Sequence, residues 1–137
     1  MKAFLALCAS LLFLGLAPAH AQMRAVDLGD DPARALAGPD LAPDDARVAQ
    51  ARAWLKQVAA ATGESETQVA ASCMKLSRYL FDALRERALP TEVLEGLTVQ
   101  LAAGKPLGDM TSAYFMARRA APDRSHAAAL AALTGKR

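Results

Sequence analysis

The chain has 137 residues, 53% of them hydrophobic and 5% aromatic, and its 16 Lys and Arg against 14 Asp and Glu leave a formal net charge of +2. That length supports one packed domain rather than two. The near-neutral balance lacks the basic footprint with which nucleic-acid-binding proteins neutralise phosphates, and two cysteines and two histidines offer little for a metal site or a disulfide framework.

The chain opens with Lys2 and an uncharged apolar run from Ala3 to Ala17, followed by Pro18 and Ala19-His20-Ala21. The run is shorter than the roughly 20 apolar residues of a membrane span. With the small-x-small tripeptide behind it and a polar segment after it, it reads as a secretory signal peptide over residues 1–21, cleaved after Ala21. Lipidation at Cys8 is the weaker reading, because Leu5-Ala6-Leu7-Cys8 has a bulky Leu where a small residue is wanted and the Cys lies inside the apolar run. Cleavage removes Cys8 and His20, so the exported chain keeps only Cys73 and His126. No internal disulfide can then form, and the domain must stand on packing. The expected location is the periplasm or the exterior, with no membrane span in the mature chain.

Residues 22–43 combine Gly29, Gly38, Pro32, Pro39 and Pro43 with Asp27, Asp30, Asp31 and Asp40 and few large apolar side chains. Such a composition buries too little surface to offset its ordering entropy, and the segment reads as a flexible acidic leader. It is either a solvated spacer or an arm that docks on a basic surface, the chain's own included. From Asp44 on, residues 44–137 read as a helical domain.

Asp44 or Asp45 caps a first helix whose Val48, Ala51, Leu55, Val58 and Thr62 recur at helical spacing and which Gly63 stops. Ser65-Glu66-Thr67-Gln68 fits a capping box for a second helix to about Ala88. Its stripe of Val69, Cys73, Leu76, Leu80 and Leu84, widened by Met74 and Phe81, marks it as the central helix. Pro90 opens a third helix with a core face of Val93, Leu94, Leu97 and Leu101, ended by Gly104. Asp109 caps a fourth to Ala120 with Met110, Tyr114 and Ala117 inward. Asp123 caps an Ala-rich last helix to Thr134, anchored only by Leu130 and Leu133 and prone to fray. The pattern predicts an all-α fold, a small bundle of four to five short helices.

The catalytic inventory is thin. His126 lies beside Ser125 in the weak terminal helix and reads as a surface residue. Cys73 is the natural nucleophile, and with it the chain would be a small thiol-dependent enzyme. Its place in the apolar stripe instead makes it a small core hydrophobe with a raised thiol pKa. Met74, Met110 and Met116 with Cys73 form a soft set that could take Cu(I), but core packing accounts for the same residues. No cofactor or metal is expected. Glu92 and Glu95, three apart on one helix face, read as a solvated surface with no aromatic platform for a sugar nearby. Gly104-Lys105-Pro106-Leu107-Gly108 lacks the spacing of a phosphate loop and reads as a turn.

Phe115 is the residue that packing explains least: it turns away from Met110, Tyr114 and Ala117, toward Thr111, Ser112, Arg118 and Arg119. Aromatic and Arg side chains together mark protein interfaces, and Trp54, near the polar boundary of the first helix, extends the candidate patch. The sequence therefore points to an exported, non-catalytic helical protein that binds another envelope protein or a second copy of itself. Adaptor, chaperone, inhibitor or immunity factor, and accessory subunit of an envelope or secretion complex are the roles that fit.

Overall fold

The computed structural model describes residues 26–135. The signal peptide over 1–21, its cleavage site and the first residues of the leader lie outside the described residues. Six α-helices follow in order, with no strand among the described residues: α1 (Pro32–Ala37), α2 (Ala46–Thr62), α3 (Glu66–Leu84), α4 (Pro90–Thr98), α5 (Leu107–Ala120) and α6 (His126–Thr134), with a 3-10 turn at Leu101–Ala103 between α4 and α5. The all-helical bundle expected from periodicity is the fold, and its five expected helices are α2 to α6.

Local chemistry sets the boundaries. The Asp45 carboxylate accepts the Arg47 N–H to cap α2, and Gly63 closes that helix in the left-handed region. Ser65 and Gln68 form the reciprocal capping box of α3. Three ends differ from expectation. α3 stops at Leu84, with Arg85 at φ 58. α5 starts at Leu107, so Asp109 lies in its first turn rather than at the cap. The cap of α6 is Ser125, whose hydroxyl takes the Ala128 N–H while Asp123 accepts the N–H of Ser125.

The largest departure is at the front. The described part of the proposed leader carries α1, whose Pro32 occupies the first turn and whose cap is Asp31, the acceptor of the Arg34 N–H. Leu28, Ala33 and Leu36 are buried in the common core, and the ordered domain starts ahead of residue 44. Composition averaged over the segment hid a three-residue apolar signal: Leu28 with Ala33 and Leu36 suffices because two existing helices, α2 and α3, already offer them a surface. Each fully buried Leu contributes roughly 1.5–3 kcal/mol. Arg34 fastens the far end by donating from Nε to the Leu41 carbonyl at 2.7 Å, and Asp31 pairs with Arg52 of α2 at 2.9 Å.

The core is built from Val48, Leu55 and Val58 of α2, Val69, Cys73 and Leu80 of α3, Val93, Leu94 and Leu97 of α4, and Met110 and Tyr114 of α5. α4 rather than α3 holds the central place, since it packs against every other helix of the bundle. Its approach to α5 depends on Gly96, where a Cβ would collide with the Tyr114 ring. Phe81, expected to widen the α3 stripe, is 46% exposed instead.

Candidate functional site

The residues singled out by sequence do not form one patch. On α5, Phe115, Met116 and Arg119 lie toward solvent to differing degrees, whereas Arg118 turns inward and is only 3% exposed. The reason is helical register: Met110, Tyr114 and Arg118 are four residues apart, and the first two face the core. Arg118 is thus removed from the proposed interface. Trp54 is half-buried and lines a different groove. Phe115 and Arg119 remain as neighbours on the outer side of α5, with Phe115 half-buried rather than free.

Phe115 finds its partner on α3. Its ring lies 5.2 Å from that of Tyr79, the two planes tilted by 45°, within the centroid range of favourable aromatic pairs. Leu76, Thr111, Ser112 and Met116 complete a shallow groove between α3 and α5. Tyr79 and Met116, at 55% and 54% exposure, are among the most exposed large apolar side chains of the described residues. This is an apolar surface with a polar border, and aromatic and Met side chains of that kind are enriched at protein contacts.

A second cluster forms where α4, α5 and α6 meet, from residues that sequence reasoning set aside. Glu95 and Glu92 come from α4, Tyr114 and Arg118 from α5, and His126 from the start of α6. Arg118 Nη1 donates to the Tyr114 hydroxyl at 3.1 Å, the hydroxyl meets His126 Nδ1 at 2.9 Å, and His126 Nε2 meets Glu95 Oε2 at 2.9 Å. Arg118 Nη1 also reaches Glu92 Oε2 at 3.4 Å, and that oxygen accepts the Leu89 N–H. Because arginine can only donate, the Tyr114 oxygen accepts from Arg118. A carboxylate can only accept, so His126 Nε2 donates to Glu95.

This arrangement clamps α6 to α4 and α5. Tyr114 is fully buried, and that burial, reinforced by Glu92 and Glu95 and opposed by Arg118, pushes its hydroxyl up to about 12. It stays protonated and out of reach of a substrate. His126 is no surface residue: it holds α6 to α4 and α5, and Ala129, fully buried one turn later, completes the attachment.

Glu92 and Glu95 have a second role, because their outer sides line a groove of about 440 Å³ with Trp54, Arg47, Leu89 and Thr91. The aromatic neighbour that looked absent from these carboxylates is supplied by α2, far away in sequence. Arg47 is engaged by Asp45 through two contacts, at 3.0 and 2.9 Å. Leu89, at the lip, is 62% exposed.

The thiol is in the opposite kind of place. Cys73 is fully buried in α3, and burial pushes it up to about 12, which disfavours the thiolate that nucleophilic chemistry requires. Met110 and Cys73 face the sealed core while Met116 faces solvent, so these sulfurs share no accessible position for Cu(I). No cluster of three His, Cys, Asp or Glu side chains suited to a metal ion occurs among the described residues, and no described helix is long and apolar enough to cross a membrane.

Of this geometry, only Arg118 left a readable trace in sequence, its four-residue spacing from Tyr114. The meeting of His126 with Glu95 spans 31 positions and has none. Compared with known protein families, curated proteins and solved structures, the chain matches none.

Proposed function

We propose that the chain is an exported, periplasmic or secreted, non-catalytic helical protein that binds another protein through the groove between α3 and α5. The observation that supports this is the pair of exposed apolar side chains, Tyr79 and Met116, flanking a Phe115 that the bundle covers only in part. Water-exposed apolar surface of this kind is stabilised when a partner covers it, by about 25 cal/mol per Å² removed from water. Arg119, exposed one turn beyond Phe115, adds a charged contact at the border, where it contributes more to orientation than to affinity. Adaptor, inhibitor or accessory subunit of an envelope complex are the roles such a module fills.

The test uses Tyr79 and Met116 rather than Phe115, since their exposure lets them be changed without opening the core. A photo-crosslinking residue at position 116 of the exported chain should trap one defined partner in the envelope. The double variant Tyr79→Ser, Met116→Ser should lose that partner with an unchanged melting temperature. Equal recovery of the partner by the variant removes this face from consideration. Amino-terminal sequencing of the exported chain should begin at Gln22; an intact Met1 would contradict export by cleavage.

A further inference from the structure

We infer that the groove between α2 and α4 is a second, separate recognition site, one that receives an arginine side chain of a partner polypeptide, with the guanidinium beside Glu95 and Trp54 and a neighbouring apolar residue against Leu89.

The argument is one of charge and shape. Three charged side chains line the groove, Arg47, Glu92 and Glu95. Asp45 neutralises Arg47 by a two-point contact on the side chain's own helix end. Arg118 neutralises Glu92 from behind the wall. Glu95 has only His126, whose Nε2 donates to one of its two oxygens. One carboxylate oxygen is left without a partner, on a side chain that lines the groove, is 39% exposed and is held in place by that same bond. A fixed carboxylate whose second oxygen is free favours a planar donor that can bond it, which is guanidinium geometry. The indole of Trp54 in the same groove supplies the face on which a guanidinium stacks. Ala37, Ala46 and Leu89 give the wall an apolar stretch beside the polar Gln50 and Thr91, which suits the methylene stem and an adjoining aliphatic residue.

Trp54 is the one tryptophan of the chain, so its emission reports groove occupancy directly. Titration of the full exported chain with acetyl-Leu-Arg-Leu-amide should give a saturable change in Trp54 emission. The neutral peptide acetyl-Leu-Gln-Leu-amide should bind roughly tenfold or more weakly, as expected when a charge-assisted contact is removed. Glu95→Gln keeps an acceptor for His126 and removes the charge; it should lose the preference for Arg while retaining wild-type helicity and melting temperature. Tyr79→Ser, on the other face, should leave the titration unchanged, so failure here is distinct from failure of the α3/α5 reading. The inference is overturned if the two peptides respond alike, or if Trp54 is silent up to about 10 mM peptide, where even millimolar affinity would show. It is equally overturned if emission answers to cellobiose instead, or if it shifts with protein concentration alone, which would assign the groove to a sugar or to a second copy.

Discussion

The first and last helices of the described chain, α1 and α6, are both short, one unexpected in a segment that reads as a flexible leader and the other expected to fray, yet they are held by different physics. α1 is fixed by apolar burial: Leu28, Ala33 and Leu36 enter the common core, and the polar contacts around it are half-exposed. α6 buries Ala129 fully and packs Leu133 against the core in part, and it is fixed besides by a polar chain running from Glu95 through His126 and Tyr114 to Arg118. Burial is tolerant of direction and proportional to area, whereas a hydrogen-bonded cluster needs every member, because each one left without a partner in the interior carries a desolvation cost.

The contrast can be broken most severely at Leu36. Leu36→Ala should cost about 2–5 kcal/mol by removing buried methyls and leaving a cavity, read as a lower urea midpoint of the whole domain; a loss under 1 kcal/mol would mean that α1 is not part of the cooperative core. Removing the clamp comes next. His126→Ala should cost about 1–3 kcal/mol, and hydrogen exchange should show the loss concentrated in residues 126–134, with α1 protected as before. Uniform loss across the bundle would refute a local clamp.

The pH dependence sharpens the same difference. Burial holds Tyr114 and Cys73 up to about 12, from ordinary values of 10.0 and 9.0. On raising pH the unfolded chain loses these protons first, so the folded state binds more protons and stability falls from about pH 9 through pH 12. Tyr114→Phe should flatten the upper part of that fall, while Leu36→Ala should lower the whole curve without changing its slope. An unaltered slope in Tyr114→Phe would deny the hydroxyl its part. The smallest effect belongs to the half-exposed pair between Asp31 and Arg52: Arg52→Ala should cost about 0.2–1 kcal/mol and less at high salt.

Helices α2 to α6 were legible in the sequence because their signals are local. Asp45, Ser65 and Gly63 act on their own helix ends, and the spacing of Val48, Ala51, Leu55 and Val58 shows one buried face without reference to any other element. The candidate surface was legible in part. Phe115 and Arg119 stand together where their helical spacing puts them, but Tyr79, which completes the aromatic pair, belongs to another helix. Arg118 belongs to the buried stripe because its four-residue register with Tyr114 decides its direction and its charge does not.

What the sequence by itself determined is where the chain turns helical and which face of each helix avoids water, since both depend on neighbours within about four positions. The tertiary structure alone decided that α1 joins the core, that α4 is the hub, and that Glu92 and Glu95 share a groove with Trp54 while Glu95 grips His126. Those outcomes depend on surfaces offered by segments tens of residues away: a Leu of a polar stretch is buried only if other helices leave room for it, and a carboxylate becomes part of a site only when an indole and an imidazole are brought beside it.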